Sequence, residues 1–336
     1  MDKGKRPTTL LEAVSYFADF ENCKDYMVQL RWGKGKVTCP QCGSDDVSYL
    51  PNARVFKCFA KPAHSRAKFS LKVGTIFADS PIALEKWLPV VWMLANCKNG
   101  VSSWEIHRAI GVTQKSAWFM LHRVRLAMQD ESVNKMTGTI EADETFVGGK
   151  VRNMHLDRQT RMRMGKRRAG GFEGKVAVMG LLERHGNSTG SRARVKVLPN
   201  TRAYHIRTNV IDNVERGANV YTDSLHSYRN LPVDGFVHEF IDHTEAYVRG
   251  QVHTNGLENF WSLFKRALKG TYVSVEPFHL QGYADEQAFR FNNRGPMNDS
   301  QRFSYLMRKI VGKRITYAEL TGKMEEVPTD GITEEI

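Results

Sequence analysis

The chain has 336 residues, with 49 lysines and arginines against 36 aspartates and glutamates, a formal net charge of +13 and a pI near 9.5. This positive surplus favours polyanionic partners. Hydrophobic residues make up 41% and charged residues 25%, which are ordinary globular proportions and exclude a generally disordered chain. The longest apolar stretch, residues 87–95, is interrupted by Pro89 and is too short to span a membrane. With no signal-peptide pattern at the N-terminus, we expect an intracellular protein without a membrane partner.

The residue patterns divide the chain into five segments. Residues 9–32 have apolar side chains at helical spacing, and a cysteine-bearing module follows. Three helices separated by glycines come next, before a change to strands alternating with helices, typical of an α/β domain. The predicted segments are a helical lead-in (1–35), a zinc ribbon (36–80), a helix-turn-helix bundle (81–135), a catalytic α/β domain (136–310) and a C-terminal extension (311–336).

The α/β segment has four predicted strands, residues 139–143, 175–182, 193–198 and 219–223, and predicted helices at residues 201–214 and 256–268. A strongly basic run, residues 150–170, lies between the first two strands. Such a run is usually a solvated loop and only secondarily a DNA contact. Residues 324–336 form an acidic tail that we expect to be disordered.

The motif CPQCG at residues 39–43 places Cys39 and Cys42 three positions apart, with a glycine directly after. Two thiolates at this spacing can face one ion, and zinc is the expected ion. Cys58 follows after fifteen intervening residues, a spacing typical of ribbons. His64 would be the fourth ligand, although its gap from Cys58 is longer than is common. Four protein ligands would make the zinc structural; ordinary buried cysteines are the alternative.

Residues 102–110 predict a short helix ending at Gly111, with Thr113 as the N-cap of a second helix. The second helix has an apolar face. Its other sides carry donors and aromatic side chains suited to DNA, namely Lys115, Ser116, Trp118, Phe119, His122 and Arg123. A plain helical bundle would have the same pattern, and the basic net charge favours DNA binding.

Asp143 ends a predicted strand in EADET, and Asp223 ends another in VYTDS. Glu258 lies in the first turn of a predicted helix that begins in HTNGLEN, with Asn255 as the expected cap. Strand-end carboxylates in an α/β sheet converge where ligands bind. Three carboxylates can hold two divalent cations roughly 3.5 to 4 Å apart, as phosphodiester chemistry requires. The alternative is that all three only cap helices.

The helix that begins near Glu258 also carries two cations, Lys265 and Arg266, about two turns further on. These side chains could bind DNA phosphates beside the metal ions. A carboxylate and two cations on one helix therefore favour phosphoryl-transfer chemistry over capping alone.

Taken in order, six motifs resemble bacterial insertion-sequence transposases of the zinc-ribbon DDE type, which have an ISXO2-like transposase domain and are relatives of the Merlin DNA transposons. The resemblance covers about residues 9–310. The motifs are CPQCG, KFSLKVGTIFADSPI, EIHRAIGVTQKSAWFMLHRVR, EADETFVGG, VYTDS and HTNGLENFWSLFKR.

The resemblance implies an RNase H-like catalytic domain, which is a mixed sheet flanked by helices. Its catalysis would depend on Mg²⁺ or Mn²⁺. The fold class would be a multidomain α+β and α/β protein. By motif, Asp143 and Asp223 match the first two catalytic aspartates. The third residue lies in HTNGLEN, where Asn255 competes with Glu258; we favour Glu258 because a carboxylate binds Mg²⁺ better than an amide does.

The implied partners are the terminal inverted repeats and target DNA, bound by a homodimer or higher oligomer of a cytoplasmic, nucleoid-associated protein. The expected function is DNA cleavage followed by strand transfer through a 3′-hydroxyl. Two alternatives remain at this stage. One is a zinc-dependent DNA-binding regulator derived from a transposase, and the other is a nuclease that cuts without joining.

Overall fold

A computed structural model describes residues 6–60, 64, 67–148, 175–185, 190–223, 226–241, 252–295 and 297–322. The basic run at residues 150–170 and the acidic tail thus lie outside the described residues. Within the described ranges, no helix combines the length and apolar character that crossing a membrane requires.

The N-terminal part begins with two helices and continues into a small antiparallel sheet. Thr9 forms a capping box with Glu12 at the first helix, and Gly33, with φ of 62°, ends the second. The three strands pair in sequence order. The elements are α1 (Leu10–Phe17), α2 (Phe20–Trp32), β1 (Val47–Leu50), β2 (Val55–Cys58) and β3 (Lys68–Phe69).

Three helices follow, and their ends confirm the sequence-based prediction. Ser102 forms a capping box with Glu105, Gly111 has a φ of 61°, and the Thr113 hydroxyl accepts from the Ser116 N–H. These local interactions fix a tight turn between the second and third helices. The helices are α3 (Leu84–Asn96), α4 (Ser103–Ile110) and α5 (Gln114–Met128).

The α/β domain is built on a five-stranded mixed sheet of order β6-β5-β4-β7-β8. The central strand β4 is antiparallel to β5 and parallel to β7. Four of the strands match the predicted ones, and β8 was not predicted. The strands are β4 (Thr139–Val147), β5 (Val176–Glu183), β6 (Arg192–Leu198), β7 (Asn219–Asp223) and β8 (Val237–Ile241).

Helices cover both faces of this sheet. One face packs on α6 (Ala203–Asn213) through Ile206 and Val210. The other packs on α7 (Asn255–Ala267) and α8 (Leu280–Asn292) through a second core. Residues on β4 alternate between the faces, so Ala142 packs in the α6 core while Asp143 points toward α7.

The last helices belong to the N-terminal part of the molecule. They are α9 (Asp299–Arg308) and α10 (Tyr317–Thr321). Phe303 of α9 is buried, with its ring centroid 5.6 Å from that of Phe17 and 5.1 Å from that of Trp92. The boundary expected at residue 310 is therefore wrong, because α9 packs in the core that also contains α1 and α3.

Candidate active site and metal centre

Asp143 and Asp223 lie side by side on adjacent parallel strands. Strand β4 pairs with β7 up to Glu141 and Tyr221, and each aspartate is two residues further along its strand. Parallel strands are about 4.8 Å apart, so the register brings the two carboxylates to neighbouring positions, Asp223 at the end of β7 and Asp143 in the middle of β4. The sequence predicted that the two carboxylates converge, but its prediction that Asp143 ends its strand is wrong, because β4 continues to Val147.

Helix α7 lies directly over these strands. The Trp261 indole Nε1 donates to Oδ2 of Asp143 at 2.9 Å, while the Glu144 N–H donates to Oδ1 at 2.8 Å. Gly180 pairs with Asp143 on β5, and a Cβ there would be 2.7 Å from both Leu257 and Trp261. Only glycine at position 180 lets α7 approach this closely.

Glu141 makes a second connection between β4 and α7. Its side chain is buried, and Oε2 accepts from the Leu257 N–H at 2.9 Å in the first turn of the helix. Its Oε1 accepts from Arg184 Nε at 2.7 Å, and the same guanidinium donates to the His253 carbonyl at 2.6 Å. The close approach of α7 to Glu141 requires glycine at position 256, where a Cβ would be 2.9 Å from the Glu141 carboxylate. Glu141 therefore fixes the start of the helix that carries Glu258.

Three carboxylates interact electrostatically beside the end of β7. Burial and the charge of Asp223 raise the pKa of Asp143 to about 6, Glu258 adds to the shift, and the Trp261 and Glu144 N–H groups oppose it. Burial and the neighbouring carboxylates both make a negative charge on Asp143 unfavourable. A cation placed among these groups would remove the repulsion.

Glu258 and Asn255 are both exposed near the start of α7, but they occupy different positions relative to Asp143. Glu258 is three residues before Trp261, within the electrostatic reach of Asp143. Asn255 is six residues before Trp261, and its N–H faces the His253 ring at 3.4 Å. The prediction that Asn255 caps this helix is wrong, because Thr254 is the N-cap and Asn255 is the first helical residue.

Asp143, Asp223 and Glu258 do not form a group whose ligand atoms all lie within 4.8 Å of one another. Across the part of the chain that the structure describes, one group of three or more candidate ligand atoms lies within 4.8 Å of one another, and it is the cysteine and histidine cluster near the N-terminus.

The cysteine and histidine cluster consists of Cys39, Cys42, Cys58 and His64. The Cys39 Sγ is 3.4 Å from Nε2 of His64, and the Cys42 and Cys58 sulfurs are 3.6 Å apart. Tetrahedral zinc with bonds of about 2.3 Å places its sulfur ligands about 3.8 Å apart, close to these distances. All four predicted ligands thus converge on one zinc-sized space, His64 included.

The local backbone favours the thiolate of Cys39. Burial raises the pKa of Cys39, but N–H groups of Gln41 and Cys42 outweigh it and hold the pKa at about 7. Thiolate, not thiol, is the form that binds zinc. The N–H donors come from the CPQCG turn itself, so the motif supplies both Cys39 and the groups that favour its ionisation.

The residues predicted to contact DNA differ in their exposure. Lys115, Lys265 and Arg266 are exposed, and the Lys115 ammonium is 4.6 Å from the Tyr317 ring centroid. Ser116 and Trp118 are half-buried, and Trp118 packs at 5.3 Å on the ring of His279.

Arg123 requires a correction. Its side chain is buried, and Nη1 donates to the carbonyls of Ile76 and Ala78 at 3.1 and 2.6 Å. His122 is also buried, and burial together with Arg125 and His279 lowers its pKa to about 2. Neither group faces solvent, so the prediction that they contact DNA is wrong. Arg123 instead connects α5 to the segment that follows the ribbon.

Two functional positions were missed by sequence reasoning, Glu141 and Trp261. The alternation of side chains along β4 offered a signal for Glu141, since residues 141 and 143 share one face of a strand. No comparable signal pointed to Trp261, because its contact with Asp143 spans 118 positions of sequence.

Comparisons with known proteins agree with this arrangement. The family model for the transposase zinc-ribbon domain matches residues 19–60, and that for the ISXO2-like transposase domain matches residues 135–292. The first begins near the start of α2, includes the three cysteines and stops before His64. The second ends with the last residue of α8, before α9 returns to the N-terminal core.

Two relatives extend the comparison. An uncharacterized protein in the transposable element ISH50 of Halobacterium salinarum is 28% identical over 259 residues, 76% of this chain and 85% of that protein. An uncharacterized transposase-like protein of Haemophilus influenzae is 32% identical over 97 residues, 29% of this chain and 78% of that protein. The chain is therefore an insertion-sequence transposase with an N-terminal zinc ribbon. It belongs to the ISXO2-like transposase family.

Proposed function

We propose that this chain is an active DDE transposase that binds the terminal inverted repeats of its element, cleaves DNA and transfers the cut strand to target DNA. One observation carries the proposal: Asp143 and Asp223 lie on adjacent parallel strands, and Asp223 and Glu258 both raise the pKa of Asp143. The mixed sheet with a helix over these carboxylates supports the RNase H-like assignment.

Asp143, Asp223 and Glu258 would hold two Mg²⁺ or Mn²⁺ ions. When bound, the ions would activate the attacking oxygen and stabilise the leaving oxygen of the phosphodiester. The Trp261 indole fixes the orientation of the Asp143 carboxylate. Glu141 fixes the position of α7, and thereby of Glu258, relative to the strands.

DNA contacts would come from cations near the site and from the helix pair. Lys265 and Arg266 are exposed on the same helix as Glu258, where they would bind phosphates beside the cleaved bond. Lys115, Ser116 and Trp118 of α5 would contact DNA further from the site, with α4 and α5 acting as a helix-turn-helix. The zinc ribbon would stabilise the N-terminal part of this surface.

The proposal is tested by cleavage and joining of a labelled duplex that carries the element's own terminal sequence, with Mg²⁺ or Mn²⁺. We compare the wild type with Asp223→Asn, Glu258→Gln and Asn255→Ala. Glu215→Gln is the matched control, since Glu215 is an exposed carboxylate just after α6, on the other side of the sheet.

We expect Asp223→Asn and Glu258→Gln to lose cleavage while retaining DNA binding, and Glu215→Gln to behave as wild type. Loss with Asn255→Ala, and not with Glu258→Gln, would move the third ligand to Asn255. Metal-dependent cutting without joined products would identify a nuclease. DNA binding by the wild type without any cutting would favour the alternative, a transposase-derived regulator.

A further inference from the structure

A short loop joins the end of α7 to α8, and the backbone of this loop is strained. After α7, residues 268–272 form one π-helical turn, and Val273 follows with φ of 60° and ψ of −56°. The Ser274 N–H donates to the Tyr272 carbonyl at 2.6 Å, which closes a γ-turn around Val273. A β-branched residue rarely adopts a positive φ, so this turn carries an energetic cost.

The strained residue points into solvent. Val273 is 79% exposed, and Phe278 in the same loop is 70% exposed. The turn is anchored to the protein interior, because the Tyr272 hydroxyl donates to the buried carboxylate of Glu286. The fold therefore holds two large apolar side chains away from any core, at a conformational cost that core packing does not explain.

This loop lies between the two surfaces expected to contact DNA. On one side, His279 follows Phe278 and packs on Trp118 of α5 with ring centroids 5.3 Å apart. On the other side, the exposed cations Lys265, Arg266 and Lys269 lead back along α7 toward Glu258. Lys265 is seven residues after Glu258, which places both on the same face of the helix.

We propose that Val273 and Phe278 form an apolar wedge that enters duplex DNA between the α5 surface and the active site and unstacks a base step. Apolar side chains beside phosphate-binding cations are the means by which proteins kink duplexes. Fifteen residues separate Glu258 from Val273, about 20 Å of helical rise, or roughly six base pairs. The wedge therefore acts within about six pairs of the cleaved bond. This inference depends on the proposed DNA transposase function.

The test uses the full-length protein and duplexes of the element's own terminal sequence, with 2-aminopurine placed in turn at each of the outer positions. Binding is measured without added Mg²⁺. The fluorescence of 2-aminopurine increases where the base unstacks. Cleavage of the same duplexes with Mg²⁺ maps the cut. We expect the increase at a position within about six pairs of the cut. We expect Phe278→Ala to abolish it and to weaken binding roughly tenfold, whereas Phe278→Trp retains it.

Two further variants separate the wedge from loss of structure. Val273→Gly suits the positive φ, so we expect a folded protein of equal or higher thermal stability with a reduced fluorescence increase. Tyr204→Ala is the matched control, because Tyr204 is an aromatic residue, 73% exposed, on α6 at the opposite face of the sheet. It should leave the fluorescence unchanged.

The outcomes distinguish this inference from the function on which it depends. Cleavage by the wild type without any unstacking would overturn the wedge and leave the transposase proposal intact. A fluorescence increase that persists in the Val273→Gly, Phe278→Ala double variant would also overturn it. A shift from dimer to monomer in that variant, without a change in unstacking, would assign the loop to contact between copies of the chain. Absence of DNA binding by the wild type would overturn both.

Discussion

Arg125 of α5 and Glu286 of α8 form a buried ion pair, with Nε to Oε2 at 2.7 Å and side-chain exposures of 2% and 0%. Glu286 also accepts from Arg290 and from the Tyr272 hydroxyl. Although burial opposes ionisation, the charges of Arg290 and Arg125 keep the pKa of Glu286 below its usual value. The candidate DNA-binding helix is thereby joined to the catalytic domain beneath the strained loop.

Removing either partner of this pair should have unequal effects. Glu286→Gln leaves Arg125 and Arg290 buried without a counter-charge, and we expect a loss of about 3 to 5 kcal/mol in unfolding free energy. Arg125→Met leaves Glu286 paired with Arg290, so its cost should be smaller. Urea unfolding monitored by circular dichroism measures both, and equal losses would contradict this account of the cluster.

The carboxylates around Asp143 should reduce the stability of the metal-free protein. The pKa of Asp143 is about 6 in the fold against 3.8 for an ordinary aspartate, so the native state binds its proton more tightly. Stability from this group is present below pH 4 and is lost as the pH rises toward 6. We expect Asp143→Asn to be roughly 1 to 3 kcal/mol more stable than the wild type at pH 7, and not at pH 4. Thermal unfolding in EDTA at both pH values is the measurement. An equal difference in stability between Asp143→Asn and the wild type at pH 7 and pH 4 would refute the prediction.

Gly180 should be required for the position of α7. In Gly180→Ala the new methyl group would overlap Leu257 and Trp261, forcing the helix away from Asp143. We expect a loss of about 1 to 3 kcal/mol in stability together with a change in near-ultraviolet circular dichroism from Trp261. Gly295→Ala is the control, because no atom lies within 4 Å of the Cβ position there. A Gly180→Ala protein with wild-type stability and spectrum would show that α7 can shift without cost.

Zinc should bind one site per chain through all four predicted ligands. We expect Cys39→Ser and Cys58→Ser to lose zinc and His64→Cys to keep it, since a fourth thiolate suits a tetrahedral site. Zinc content by mass spectrometry and thermal unfolding provide the readouts. Cys97→Ala, outside the cluster, should retain the metal. Full zinc content in His64→Ala would remove His64 from the ligand set.

Arg123 and Lys115 should respond differently to substitution. Arg123→Met leaves two buried carbonyls without a donor, so we expect a stability loss of about 1 to 3 kcal/mol. Lys115→Met should leave stability unchanged and reduce the slope of log K against log salt for DNA binding by about 1. A reduced salt slope in a fully folded Arg123→Met protein would instead restore Arg123 to the DNA surface.

The sequence determined those features that depend on neighbouring residues. Ser102, Gly111 and Thr113 set the ends of α4 and α5 because caps act within one turn. The CPQCG spacing likewise brought two ligands of the metal centre together without help from the rest of the fold. The strands that carry Asp143 and Asp223 were predictable from their composition.

Tertiary structure alone decided the contacts between distant segments. The Glu141 to Leu257 hydrogen bond spans 116 positions, and no local pattern specifies which helix covers a strand. Arg123 looked available for DNA because helical periodicity gives a side chain's direction but not its partner. Phe303 joined the N-terminal core for the same reason, since burial is settled by whichever apolar surfaces meet when the whole chain packs.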